Sequence, residues 1–326
     1  MRRSEADPPD SSAQADLGVR AAWLYYVEEL TQAEIARALG LSRAKVIRLL
    51  SAARERGVVR VELDARDTAG LALERRLVER YRLELAIVAP SPTRESAVAD
   101  VVGHAAGTWL SREVREGMTL GIGWGRTLHA SLAALRERTV ERLSVVSLLG
   151  GMTHSHTVNP SAVARRVADA LGAECYQLTA PLVVSQGAMR DALWKEPGLN
   201  ALLERARKAD LAIVSVGDLS ADATLFREGL LPRAALRALA AAGAVGDVLG
   251  HFIDAGGRVV DHPVNRRVVA VGIADLRKVP RIAVAAGGRR KAAVIDAALR
   301  ATGARILVTD EGAARALVDS RGVASG

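Results

Sequence analysis

From residue 84 onward the chain repeats one rhythm: a short apolar run rich in β-branched residues, then a longer Ala-rich stretch. The runs lie at 83–90 (LELAIVAP), 118–123, 143–150, 173–178, 210–217, 266–273, 280–287 and 304–310. Helical stretches between them include 95–116, 127–138, 159–172, 198–208, 232–242, 289–302 and 310–319. Strands apolar along their whole length need cover on both faces, and parallel neighbours need helical crossovers to supply it. Residues 84–326 are therefore predicted to form an α/β domain with a mostly parallel sheet.

A different pattern precedes it. At 326 residues the chain is too long for one ordinary domain, and two is the natural expectation. Residues 1–16 are polar and are expected to be a disordered tail. Residues 17–64 read as helices that close on GVVRVEL, which alternates like a short strand. Residues 65–83 place Leu71, Leu73, Leu77 and Val78 on or near one stripe, as a connector helix would.

Inside residues 17–64 stands TQAEIARALGLSRAKVIR, residues 31–48. Thr31 and Glu34 have the spacing of a capping box, in which each side chain satisfies the other's backbone donor. Gly40 tolerates the positive φ of a tight turn, and Ser42 caps a second helix predicted to run to about Arg56. Ile35, Ala36, Leu39, Leu41, Val46 and Leu49 fall where two short helices bury against each other. This is the layout of an all-α helix-turn-helix, winged if GVVRVEL forms a strand with Arg60 near the backbone. From Arg43 to Arg60 there are six basic residues and one acid, Glu55. Ser42, Arg43, Ala44, Lys45, Val46 and Arg48, at the start of the second helix, are expected to face bases in a groove. Thr31 and Gln32 open the preceding helix, whose free N–H groups suit a phosphate. The plainer alternative is a helical hairpin with a solvated basic face; the order of cap, acid, glycine, second cap and basic helix favours double-stranded operator DNA as partner.

Bulk charge says less. The net charge of +8 favours an anionic partner, yet only five of the 45 basic residues are Lys, a bias that a GC-rich genome also produces. Cys175 is the single cysteine, so no disulfide forms within the chain and no Cys-based zinc site exists. No apolar leader opens the sequence and no run approaches a membrane span, so a cytoplasmic location is expected.

Residues 30–63 resemble the N-terminal domain of SorC-type transcriptional regulators, named for control of a sorbitol operon. The resemblance continues through LGIGWGRTL (120–128), LLGGM (148–152), AVGDVLGHFID (244–254) and AAGGRRKAAVIDAALRATGARILVTDEGAARAL (285–317), and covers most of residues 17–320. It implies a regulator of a carbohydrate or polyol catabolic operon that responds to a sugar or sugar phosphate. It further implies an effector domain (84–326) with the fold of sugar-phosphate isomerases and deaminases, and a homo-oligomer, dimer or tetramer.

LGIGWGRTL sits where an apolar strand meets a helix. Gly121, Gly123 and Gly125 allow a sharp turn and close approach of a ligand. The N–H groups of Trp124, Gly125, Arg126 and Thr127 point outward at a helix start, which suits an anion. A dinucleotide fingerprint is excluded because Arg126 stands in place of the third glycine and no acid ends the next strand; no Walker loop is present either. AAGGRRK repeats the logic around Gly287 and Gly288. Here the resemblance implies that Lys291 faces the ligand and that Asp247, between Gly246 and a predicted helical run, is the family's acidic residue. Gly150 and Gly151 are expected to form a further pocket edge, and residues 215–226 to line it, with no role assigned to Asp218 or Asp222. His154 and His156 form an H-x-H without nearby Cys or clustered carboxylates, which reads as a solvated loop. Cys175 reads as core. No cofactor and no metal is expected.

Two other readings compete. An isomerase- or deaminase-like enzyme with an added DNA-binding head would use Asp247 and Lys291 as acid and base, but no His lies in a recognisable catalytic motif. A bare RNA-binding module would need stacking aromatics, and these are only 3% of the residues.

Overall fold

The computed structural model describes residues 11–59, 68–153 and 159–320. The chain divides into two compact units, Met1–Asp64 and Ala65–Gly326.

The first unit holds helices α1 (Ser11–Tyr26), α2 (Gln32–Leu39) and α3 (Arg43–Glu55). The capping box at Thr31 and Glu34 is formed in full, and Gly40 ends α2 in the left-handed region at φ 64°. Ser42 caps α3 by accepting from the N–H of Lys45. Ala21, Ile35, Val46, Leu50 and Ala53 make the small core. Ser11 already opens α1, so residues 11–16 are helical where a tail was expected. Residues 60–63 of the expected wing, Arg60 among them, lie outside the described residues.

The second unit is α/β. Helix α4 (Thr68–Tyr81) belongs to it and buries Leu73 and Leu77, leaving Leu71 exposed. The elements that follow are β1 (Leu85–Ala89), α5 (Val98–Glu113), β2 (Thr119–Ile122), α6 (Arg126–Ser131), β3 (Ser144–Ser147), α7 (Pro160–Leu171) and β4 (Glu174–Tyr176). Next come α8 (Gly187–Leu193), α9 (Pro197–Arg207), β5 (Leu211–Val214), β6 (Val216–Asp218), α10 (Thr224–Arg227), α11 (Ala235–Ala241), β7 (Ala244–Val248) and β8 (His251–Asp254). The unit ends with α12 (Ile273–Leu276), β9 (Arg281–Ala285), α13 (Ala292–Thr302), β10 (Ile306–Asp310) and α14 (Glu311–Asp319).

Seven strands form one sheet in the order β1-β10-β9-β5-β2-β3-β4, with every pairing parallel. Leu120, Val145, Ala212, Val284 and Leu307 are fully buried, as the continuous apolar runs require. The order reverses between β2 and β5: the chain leaves β2 toward β3 and leaves β5 toward β9. Ligands in open α/β sheets bind at such a switch, outside the carboxyl ends of the strands.

Two expectations are corrected. Residues 266–273 are not a strand: Val268 and Ala270 make isolated bridges to Val183 and Leu149. The segment is apolar because it is buried, but it hydrogen-bonds two irregular stretches instead of a ladder. The run after Asp247 is not helical: β6, β7 and β8 form a separate antiparallel sheet. Its β7–β8 hairpin turns on Leu249 and Gly250, both at positive φ (52° and 81°), as a tight two-residue turn demands.

Candidate functional site

A cavity of about 390 Å³ opens at the switch point. Segments that follow β2, β5 and β9 line it, together with Asp247 from β7 and Glu95, Ser96, Val98 and Ala99 around the start of α5. After β2, Trp124, Gly125, Arg126 and Thr127 all reach the cavity. Gly125 stands at φ 118°, a backbone only glycine adopts without strain, and it turns the chain from β2 into α6. The first N–H groups of α6 have no partner within the helix. Thr127 is buried beneath them and Arg126 is exposed. Gly123 does not line the cavity. It lies one layer behind, its N–H donating to the carbonyl of Ile213 at 2.8 Å, where a Cβ would meet Leu249 at 3.2 Å.

Asp247 and Lys291 also line the cavity. Asp247 is buried on β7 and accepts the N–H of Gly250 through Oδ2 at 2.9 Å. Lys291 ends the short 3₁₀ turn Arg289–Lys291 after β9, and its Nζ donates to the carbonyl of Val216 at 2.9 Å. Burial pushes the Asp247 carboxyl up to about 6, and Asp218 adds to the rise; the Gly250 N–H and the Lys291 ammonium act against it. Burial likewise pushes Lys291 below the usual lysine range. Arg126 and Arg290 add to that fall, while Asp218 and Asp247 oppose it. The cavity therefore holds a buried carboxyl and a half-buried amine, each with one backbone partner.

Three features of the site carry no local signal in the sequence. Gly217 on β6 pairs with Asp247 across the ladder. Asp310, at the end of β10, is buried; its Oδ1 accepts the N–H of Gly288 at 2.7 Å and its Oδ2 the hydroxyl of Ser91 at 2.7 Å, which fixes the glycine turn after β9. Glu95 pairs with Arg290 at 2.8 Å, both at the cavity rim. Most of residues 215–226 line the cavity, Leu219, Ala221 and Phe226 excepted, with the Asp218 Oδ1 accepting from Ser220 at 2.7 Å. Gly150 and Gly151 do not: they pack on the backbone of Ala180 and Pro181 and on Ser161. Cys175 is half-buried on β4, and burial raises its thiol pKa. His154 and His156 lie outside the described residues.

In the first unit, Thr31, Ser42, Arg43 and Arg48 are exposed, while Gln32 and Lys45 are half-buried. Arg43 Nε donates to Gln32 Oε1 at 3.4 Å, which ties the starts of α2 and α3 together. Thr31 is engaged by Glu34 through both its N–H and its hydroxyl. Val46 is a correction: it is fully buried in the helical core and cannot reach a base. Its neighbour Ile47 is the residue turned outward.

With this geometry in hand, comparison with known proteins is specific. Residues 66–319 match the Sugar-bind family model, a sugar-binding domain, and residues 26–62 match the IclR helix-turn-helix domain. The chain is 33% identical over 310 residues to the erythritol catabolism regulatory protein EryD of Brucella abortus, covering 94% of this chain and 98% of that one. It is 32% identical over 313 residues to the deoxyribonucleoside regulator of Bacillus subtilis, covering 93% and 97%. The full-length sorbitol operon regulator SorC of Klebsiella pneumoniae superposes with a TM-score of 0.70 at 25% identity, covering 94% of this chain and 100% of that one. No helix of the described residues is long and apolar enough to cross a membrane.

Proposed function

Because the chain belongs to the SorC family of sugar-binding transcriptional regulators, we propose that it binds operator DNA through α2 and α3 and senses a sugar or sugar phosphate in the switch-point cavity. The observation that carries this reading is the convergence, in one cavity, of the Gly125 loop, a half-buried lysine and a buried carboxyl. In it the loop N–H groups and Arg126 hold the anionic end of the ligand, and Asp247 accepts hydrogen bonds from its hydroxyls. Lys291 lies within the same site and supplies a donor and charge.

On the DNA side, Ser42, Arg43, Lys45 and Arg48 meet the groove, with Thr31 and Gln32 at the phosphates. A two-fold operator needs two such units, so the active form is a homo-oligomer, dimer or tetramer, in the cytoplasm. The same cavity in an isomerase would turn its ligand over; the relatives are named as regulators, and we read the site as a sensor without catalysis. Calorimetry with a panel that includes erythritol 4-phosphate, deoxyribose 5-phosphate and sorbitol 6-phosphate tests this. One member should bind with micromolar affinity and be recovered unchanged; turnover of any member would replace the sensor by an enzyme.

A further inference from the structure

Helix α3 divides cleanly into two faces. Val46, Leu49, Leu50 and Ala53 point into the core of the first unit. Arg43, Ala44, Ile47, Arg48 and Ser51 point to solvent. In that outward row Ile47 is the one large apolar side chain, and it keeps 43% of its surface exposed. A β-branched residue at an exposed helical position loses helix propensity relative to Ala and leaves apolar surface in water. Among the described residues of the unit nothing covers that surface. Ile47 does, however, have one strongly preferred χ1 rotamer in a helix, so its outward shape is preset. It sits beside Arg48, three residues after Ala44 and four after Arg43, among the cations that face a duplex.

The major groove presents one apolar feature to such a row, the C5-methyl of thymine. We propose that Ile47 packs on a thymine methyl and is a specificity-determining residue of the DNA-binding unit. This rests on α3 being the recognition helix.

A duplex selected from random sequence by the wild-type full chain is the probe, made once with thymine and once with deoxyuridine at every thymine position. Removing the methyl groups should weaken wild-type binding roughly three- to tenfold. Ile47→Ala should weaken binding to the thymine duplex by a similar factor and then show less than about a twofold further loss on deoxyuridine. Arg48→Ala should weaken both duplexes and keep the full deoxyuridine penalty. The proposal is overturned if wild type is indifferent to deoxyuridine, or if Ile47→Ala pays the same penalty as wild type, since the penalty then comes from groove shape or another residue. Failure of the wild-type chain to select any duplex would instead overturn the DNA-binding reading itself.

Discussion

Gly217 lies directly opposite Asp247 across the β6–β7 ladder, so close that a Cβ on residue 217 would fall 2.2 Å from Asp247 Oδ1. The carboxyl therefore owes its position in the cavity to a missing side chain on a neighbouring strand.

Gly217→Ala is accordingly expected to displace Asp247 and weaken sugar-phosphate binding at least tenfold, or about 1.4 kcal/mol. Duplex binding in the absence of ligand should not change, because the first unit is a separate compact body. Calorimetry against the panel checks the first part and duplex anisotropy the second; unaltered ligand affinity would mean that Asp247 takes no part in binding.

Asp247 also makes stability depend on pH. Its pKa rises from 3.8 to about 6 on folding, so the folded chain holds a proton that the unfolded chain releases between those values. The side chain supports folding below about pH 4, and that support is lost as pH rises through about 6. His251, next to the same turn and pushed by burial from 6.5 down to about 4, acts with the opposite sign: its cost appears as pH falls through that range. Asp247→Asn removes one of the two opposing slopes. The variant should match wild type near pH 4 and exceed it by up to about 3 kcal/mol near pH 7. Urea unfolding of the second unit at the two pH values measures this, and a difference that does not grow with pH contradicts it.

Adjacent positions on α3 should separate folding from recognition. Val46→Ala opens a cavity in a fully buried site and should cost about 2 kcal/mol of stability, lowering duplex affinity only through unfolding. Arg48→Ala, at an exposed position, should leave melting unchanged while weakening the duplex by about tenfold, the loss of one base contact in the groove. Thermal melts beside duplex anisotropy distinguish the two.

What the sequence revealed follows from how local each feature is. The caps at Thr31 and Ser42 and the turn at Gly40 are set by residues within four positions of each other, and all three form as read. The parallel strands were legible because burial on both faces leaves few polar positions to blur the run. The same cue misled at residues 266–273, where burial comes without sheet pairing. Val46 and Ile47 are consecutive β-branched residues, and only the packed register of α3 decides which one faces inward. The β7–β8 hairpin was hidden because its turn uses Leu249, a buried residue with no turn preference that stands at positive φ. The Gly217–Asp247 and Gly288–Asp310 relationships join segments far apart in the chain, and no spacing announces them.

Coupling between the sugar-binding and DNA-binding units is the central claim, and duplex anisotropy of the full chain with and without the sugar phosphate that binds most tightly tests it most directly. The ligand should shift duplex affinity by about 5- to 150-fold, and Lys291→Gln should leave ligand-free affinity unchanged while abolishing the shift. A ligand that binds the cavity and moves duplex affinity not at all, or that moves it equally in wild type and Lys291→Gln, would contradict the account.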